Sequence, residues 1–180
     1  MIFDPITGQR EIEAERFVLR PVRKSDAGLL TMHTADERVA RATRTIPHPL
    51  PPGATEAFIA RSQSTDRTQD VWVMDGSRGG HAEVMGLVSL TPMDREQSEI
   101  KFWVAPAFWN TGLASEAVRA IVAANPHGSK TMFAEVFQDN AASARVVTNA
   151  GFVYLGDAEA YSLARDANVA TWTYVNRLRE

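Results

Sequence analysis

The sequence predicts an α+β fold in which a mixed sheet of about seven strands is flanked by helices. Alternating apolar residues indicate three consecutive strands, the last at residues 98–104, that form an antiparallel meander. A helix and a further strand at residues 131–137 follow the meander, and a right-handed crossover of this kind makes one parallel pair. A last strand at residues 171–177 closes the chain as a hairpin partner.

Before the meander, the sequence predicts short helices around one long loop. The prolines and glycine of residues 46–53 exclude regular structure, so this loop either borders a substrate cleft or is a surface connector. Ser25 and Asp26 belong to the residue types that cap helices, and we expect them to open the first helix. The elements predicted here are a strand at residues 16–22 and helices at residues 27–34, 36–42 and 55–62.

Strand-like alternation and helical spacing of apolar residues predict the meander and the elements after it. In the third strand, Ile100, Phe102 and Val104 alternate with residues that face the other side. The next helix has its apolar residues at helical spacing and ends before Pro126. The other predicted elements are strands at 71–75, 83–91, 152–156 and 161–163, and a helix that Asp139 or Asn140 caps and Gly151 ends.

The turn between the third strand and its helix has the features of an anion site. The first N–H groups of a helix lack internal partners, and the helix dipole places partial positive charge there. Gly112 allows a close approach of the backbone, and Ala114 has almost no side chain to block a ligand. The turn therefore either holds a phosphate or pyrophosphate with backbone N–H groups or is an ordinary helix start.

Composition sets the limits on function. The 180 residues predict a single domain, 1–180, and a net charge of -3 gives no general attraction to nucleic acid. There is no cysteine, which excludes disulfides and thiolate chemistry, and the four histidines have no metal-ligand spacing, so we expect no metal. No apolar run is long enough to span a membrane and no secretion signal precedes the first strand, so a cytoplasmic protein without a membrane partner is expected.

Three blocks of the chain resemble the GCN5-related N-acetyltransferases, in the branch that acetylates the N-terminal amines of ribosomal proteins. The first is A-E-R-F-V-L-R-P at residues 14–21, continuing to residue 27. The second, residues 98–120, contains F-W-V-A-P-A-F-W-N-T-G-L-A-S, and the third, residues 139–156, begins D-N-A-A-S-A-R. The resemblance covers nearly the whole chain and implies the fold of that family.

The resemblance implies that acetyl-CoA is the cosubstrate. Backbone N–H groups of the glycine turn would hold its pyrophosphate, and the third strand, splayed from its parallel neighbour, would bind the pantetheine arm and the acetyl carbonyl. Asn140 would contact the pantetheine arm, cap its helix, or do both. The cofactor-binding residues implied are Phe102, Trp103, Val104, Trp109, Asn110, Thr111, Gly112, Leu113, Ala114, Ser115, Asn140 and Ser143.

Two residues are the candidates for catalysis. Glu99 matches an acidic position of the branch and would act as general base, directly or through water, or else be a solvated carboxylate. Lys101 lies two residues further on the same strand face, where its charge would weaken Glu99 as a base. Ser143 would donate to the departing thiolate, or else bond to its own helix backbone. Many relatives have a tyrosine acid where this chain has Val147.

The predicted function is therefore transfer of acetyl from acetyl-CoA directly to a primary amine in a ternary complex. The alternative is a non-catalytic acyl-CoA-binding or regulatory module on the same fold. Protein N-termini and small-molecule amines both remain open as acceptors, and so does a homodimer. The segments expected to contact the acceptor are residues 43–53 and the hairpin at residues 157–168.

Overall fold

The computed structural model describes residues 8–178, which form one mixed sheet of eight strands covered by helices on both faces. The strands are β1 (Ile12–Glu13), β2 (Val18–Pro21), β3 (Asp70–Asp75), β4 (Gly86–Met93), β5 (Gln97–Val104), β6 (Thr131–Phe137), β7 (Val153–Ser162) and β8 (Ala167–Arg177). The helices are α1 (Ala27–Thr34), α2 (Glu37–Arg41), α3 (Ala54–Gln63), α4 (Leu113–Ala124) and α5 (Ala141–Asn149).

The order of the strands confirms the predicted fold class. The sheet runs β1-β2-β3-β4-β5-β6-β8-β7, and its only parallel pair is β5 with β6. The eighth strand is β1, a two-residue strand paired with β2 that the sequence did not predict. The two short strands expected at residues 152–156 and 161–163 are one strand, β7, with a register shift between Tyr154 and Gly156.

The parallel pair separates after three residues, as the resemblance predicted. Pairing joins Gln97, Ser98 and Glu99 of β5 to the first three residues of β6 and stops there. On its other side β5 stays paired to β4 through Val104. One edge of β5 therefore has no strand partner from Ile100 to Val104, and this opening positions the site.

The two faces of the sheet carry separate apolar clusters. The predicted alternation in β5 holds, since Ile100 is buried with α4 and α5 whereas Trp103 packs with α1 and α3 on the other face. On α4, Leu113, Val118 and Ile121 are buried, so the helix rests on the sheet and its N-terminus lies beside the end of β5. Within the described range, no helix is long and apolar enough to cross a membrane.

Asp26 does not cap α1 as the sequence suggested. Its carboxylate makes no cap hydrogen bond to that helix; it accepts the N–H of Arg23 and pairs with Arg20 inside the protein. Asp36 does cap α2 by accepting the N–H of Arg38. The segment 1–10, in which no secretion signal is expected, lies mostly outside the described residues.

Candidate active site

The turn before α4 has the geometry of an uncapped helix start. Gly112 adopts φ +80° and Asn110 φ +62°, both in the left-handed region that favours glycine and asparagine. No side chain caps the helix, and its first intrahelical bond runs from Glu116 N–H to the Gly112 carbonyl. The N–H groups of the residues between them thus point out of the helix end, where the helix dipole attracts an anion.

Arg16, in the chain segment before β2, contacts this turn and stabilises it through hydrogen bonds. Its Nε donates to Glu116 Oε1 at 2.7 Å, and its backbone N–H donates to Oε2 of the same carboxylate at 2.8 Å. Its Nη1 donates to the Thr111 carbonyl at 2.9 Å. Because the Glu116 carboxylate is buried beneath the first turn of α4, this contact fixes the turn to the sheet.

A cleft of about 520 Å³ lies in front of the turn, and we name it the arginine cleft. Every one of the twelve residues that the resemblance assigns to the cofactor lines it. Its walls are the end of β5, residues 108–115, the start of α5, α2 and the β7–β8 turn. The structure therefore brings together residues that are up to 41 positions apart in the sequence, from Phe102 to Ser143.

The cleft is strongly cationic although the chain is acidic overall. Four arginines line it and Asp139 is its single acidic residue. The four are Arg38, Arg41, Arg145 and Arg165. None of the four was among the residues assigned to the cofactor from the sequence. The i,i+3 spacing of Arg38 and Arg41 on α2 was the one signal that could have placed two of them together.

Arg165 lies in the β7–β8 turn and holds this turn beside the cleft through hydrogen bonds. Its guanidinium donates to the Asp139 carboxylate at 2.6 Å and to the Arg41 carbonyl at 2.9 Å, and lies 4.8 Å from the centre of the Phe137 ring. The hydrogen bond from Arg165 lowers the pKa of Asp139 below its usual range. The predicted acceptor hairpin thus contacts both α2 and the start of α5.

The open edge of β5 presents backbone groups to the cleft. Ala105 N–H donates to the Met85 carbonyl, so the facing pair Gly86 and Val104 is a non-hydrogen-bonded pair. The N–H and C=O groups of Val104 therefore point away from β4, and those of Phe102 do the same because orientation alternates along a strand. The Val104 carbonyl accepts the Trp109 indole N–H at 2.7 Å.

Asn140 and Ser143 stand at the start of α5 on the opposite wall. The Asn140 side-chain oxygen accepts the Ser143 N–H at 3.2 Å, which makes Asn140 the helix cap that the sequence allowed. In the described part of the chain, the Ser143 hydroxyl makes no hydrogen bond, whereas the Thr148 hydroxyl of the same helix bonds to the Ala144 carbonyl. The Ser143 hydroxyl is thus not bonded to its own helix backbone in residues 8–178.

A second cavity of about 360 Å³ opens on the α1–α3 side of β5, and we name it the apolar cavity. Leu30, Phe58 and Leu87 are among its walls, together with residues of the proline-rich loop. That loop borders a cavity, which is one of the two alternatives left open for it. The residues that line both cavities are Ala42, Phe102, Trp103, Asn140 and Ser143.

Glu99 lies in an ion-pair network beside the apolar cavity. Arg44 Nη2 donates to both Glu99 oxygens at 3.1 Å, and Arg44 Nη1 donates to Glu135 at 2.8 Å. Lys101 Nζ lies 3.7 Å from Glu99, and the Thr171 hydroxyl donates to Glu135 at 2.8 Å. Of these, Glu99 alone is not among the residues that line the cavity. Sequence reasoning found Lys101 but missed Arg44 and Glu135.

Comparison with known proteins agrees with this geometry. A sequence model described as the acetyltransferase (GNAT) domain matches residues 16–153, more than half of the chain. The chain belongs to the GNAT acetyltransferase family. As a member of that family, the protein is an acyltransferase. No curated protein matches the sequence of this acetyltransferase. Residues 8–178 contain no group of three histidine, aspartate or glutamate side chains that could hold a metal ion.

Solved structures show the same fold at low identity. A GNAT-family acetyltransferase from Bacillus anthracis is 20% identical with a TM-score of 0.77, covering 95% of this chain and 100% of that one. RimL, a ribosomal L7/L12 alpha-N-protein acetyltransferase in complex with coenzyme A, is 14% identical with a TM-score of 0.79, covering 93% and 98%. Spermidine N-acetyltransferase from Vibrio cholerae, in complex with CoA and spermine, is 13% identical with a TM-score of 0.75, covering 91% and 96%.

Proposed function

We propose that this acetyltransferase moves the acetyl group of acetyl-CoA directly to a primary amine while both substrates are bound. The observation that carries the proposal is the junction of the two cavities at the end of β5. Phe102, Trp103, Asn140 and Ser143 line both the arginine cleft and the apolar cavity. A thioester in one cavity and an amine in the other would therefore meet at this wall without a covalent enzyme intermediate.

The arginine cleft suits CoA. The outward N–H groups at the start of α4 would bind its pyrophosphate, and Arg41 and Arg145 would supply charge for its phosphates, since Arg38 and Arg165 are paired with Asp36 and Asp139. The amides of the pantetheine arm would pair with the open edge of β5 as an added strand does. Two of the structural relatives, RimL and the spermidine N-acetyltransferase, are complexes with CoA, which supports this assignment.

The chemistry then needs three groups of this chain. The amine nitrogen forms a bond to the carbonyl carbon, the carbon–sulfur bond breaks, and the sulfur leaves as a thiolate that takes up the second proton which the nitrogen loses as the amide forms. The Val104 N–H, which points into the opening of β5, would stabilise the negative charge that develops on the carbonyl oxygen. The Ser143 hydroxyl at the junction would donate to the thiolate.

Glu99 would take the proton of the attacking ammonium through water. Both Glu99 oxygens accept from Arg44 and the side chain does not line the apolar cavity, so a water molecule is needed to connect it with an amine there. The proton passes from the ammonium to that water and on to the carboxylate, which leaves the nitrogen lone pair free to attack.

Initial-velocity kinetics test the function. Acetylation of an amine panel, measured as CoA release with both substrates varied, should give intersecting lines in double-reciprocal plots because both must be bound before transfer. Parallel lines would mean an acetylated enzyme intermediate and would contradict direct transfer. Tight binding of acetyl-CoA with no amine acetylated would instead favour the non-catalytic acyl-CoA-binding module.

Glu99→Gln is expected to lower kcat about a hundredfold with little change in the KM for acetyl-CoA, since a general base contributes roughly 10²–10⁴ in rate. Glu135→Gln is the matched control, because Glu135 pairs with the same Arg44 guanidinium. An equal loss in both variants would show that the ion-pair network, and not Glu99 as a base, supports activity.

Ser143→Ala is expected to lower kcat roughly tenfold to a hundredfold, because a hydrogen bond to a charged group contributes about 1.5–3 kcal/mol. Helix content and acetyl-CoA affinity should stay at the wild-type level. Thr148→Ala removes a hydroxyl from the same helix that bonds only to backbone carbonyls, and should leave kcat unchanged. Equal kcat values for wild type and Ser143→Ala would eliminate Ser143 as the donor.

A further inference from the structure

The charges of the apolar cavity differ from those that a polyamine substrate would need. Its ionisable lining residues are Arg44, Arg61, Lys101 and Glu135. Arg44 is paired with both Glu99 and Glu135, so its charge is already compensated. With those two carboxylates counted against three cations, the cavity retains one excess positive charge.

That excess lies on Lys101 and Arg61. Lys101 Nζ approaches Glu99 only to 3.7 Å and makes no hydrogen bond with it. The Arg61 guanidinium, exposed on α3, has no hydrogen-bond or ion-pair partner within residues 8–178. Both side chains therefore keep N–H donors for a ligand in the apolar cavity.

Lys101 and Arg61 line the apolar cavity but not the arginine cleft, so neither belongs to the junction where transfer would occur. Lys101 lies two residues before Trp103 on the same face of β5, which corresponds to about 6–7 Å along a strand. Lys101 lines only the apolar cavity, whereas Trp103 lines both cavities. Arg61 follows Phe58 on α3 at i,i+3 spacing, so the two side chains share a helix face.

Six large apolar side chains contribute to the wall of the apolar cavity. They would pack against a hydrocarbon or aromatic body of a ligand, and threonine and serine hydroxyl groups complete the lining. The residues of this wall are Leu30, Ile46, Leu50, Phe58, Leu87 and Trp103. A volume of about 360 Å³ is at the small end of the range for small-molecule sites.

We propose that the acceptor of this acetyltransferase is a primary amine that also carries a carboxylate, with an apolar body between the two groups. The amine would lie at the junction and the carboxylate at Lys101 and Arg61. This inference rests on the proposed function. A second ammonium at the position of the carboxylate would meet the excess positive charge, so a polyamine should be a poorer acceptor. The same chemistry is presented by a free ω-amino acid and by the N-terminus of a peptide with an acidic side chain.

Matched acceptors test the charge requirement. The pairs are 5-aminopentanoate with 5-aminopentanamide and 4-(aminomethyl)benzoate with 4-(aminomethyl)benzamide, so that only the carboxylate is lost within each pair. We expect kcat/KM to be at least tenfold higher for the acid than for its amide, and spermidine to be slower than either acid. The C-terminally amidated dipeptides alanyl-aspartate and alanyl-asparagine, compared with 5-aminopentanoate, then show whether a free amino acid or a peptide N-terminus is the better source.

Lys101→Met should remove most of this preference. The expected change is a rise of about tenfold in the KM for the acid with the KM for the amide unchanged, and Arg61→Gln should act in the same direction. Lys24→Met is the control, because Lys24 is exposed and lines neither cavity. The measured quantity is the ratio of kcat/KM for the acid to kcat/KM for its amide. A general effect of the substitution on Glu99 or on folding would alter both acceptors and leave this ratio unchanged.

The outcomes separate this inference from the proposed function. Acetyl-CoA binding is measured by calorimetry without any acceptor, and its absence would reject the proposed function itself. If acetyl-CoA binds and amines are acetylated, but acids and amides react equally or spermidine is preferred, the inference is wrong and the function stands. If Lys101→Met leaves the ratio of kcat/KM for the acid to that for the amide unchanged, the inference is also wrong.

Discussion

Replacing Gly112 with valine is expected to weaken acetyl-CoA binding at least a hundredfold. Gly112 has φ +80°, which a β-branched residue avoids, and an added Cβ would lie 3.4 Å from Arg16 Nη2. The turn must therefore change shape, and the N–H groups at the start of α4 lose their common direction. Loss of two hydrogen bonds to a charged pyrophosphate, at about 1.5–3 kcal/mol each, accounts for the hundredfold effect.

Gly53 provides a matched control for the cost to folding. It precedes α3 with φ +79°, also as a left-handed N-cap, and lines neither cavity. A Cβ there would meet nothing within 4 Å. Gly53→Val and Gly112→Val should therefore lose a similar stability, about 1–2 kcal/mol for the left-handed conformation. Calorimetry with acetyl-CoA at a temperature where both variants are folded then isolates the role of the turn.

The result that would contradict this assignment is specific. If Gly112→Val and Gly53→Val bind acetyl-CoA equally well, the start of α4 does not hold the pyrophosphate. The turn would then be an ordinary helix start, and the cationic charge of the arginine cleft would have to be explained by another ligand.

The sequence predicted those parts of the molecule whose causes are local. The strand, glycine turn and helix around Gly112 are contiguous, so each signal could be interpreted within about twenty residues. The start of α1 was predicted to the residue and its end at about residue 34, although the cap expected from Asp26 is absent. The residues assigned to the cofactor line one cleft for the same reason, since they come from two short blocks.

What the sequence did not predict depends on contacts between distant segments. β1 is two residues long and exists only by pairing with β2, so it has no alternation to detect. Within β7, most side chains from Val153 to Tyr161 are exposed at the edge of the sheet, so polar residues interrupt its apolar pattern. The arginines of the arginine cleft come from α2, α5 and the β7–β8 turn, which only the fold brings together.

Arg20→Met is the substitution expected to destabilise the fold most. Arg20 is 2% exposed and donates to Asp75 at 2.6 Å and to Asp26 at 2.8 and 2.9 Å. Asp26 is 1% exposed, so removal of the guanidinium leaves a buried carboxylate without its partner. Breaking a buried ion pair from one side costs about 3–5 kcal/mol. Urea unfolding followed by circular dichroism measures this loss.

Acid unfolding is a second measurement of the ion pair between Arg20 and Asp75. Burial alone would raise the pKa of Asp75, but hydrogen bonds from Arg20 and Ser77 outweigh it and hold that pKa below its usual range. A lowered pKa in the folded state means that Asp75 contributes stability above about pH 4, which is lost as the pH falls through the folded value. In Arg20→Met the folded pKa should rise towards or above its unfolded value, so acidification below about pH 4 should cost this variant less stability than it costs the wild type.

Two further variants make this test decisive even if Arg20→Met does not fold. Arg20→Lys keeps one positive charge but cannot donate to both carboxylates from one planar fork, so an intermediate loss is expected. Arg20→Met combined with Asp26→Asn and Asp75→Asn removes the stranded charges, and should recover part of the stability that Arg20→Met loses. If the triple variant is no more stable than Arg20→Met, the loss comes from packing of the arginine stem and not from unpaired carboxylates.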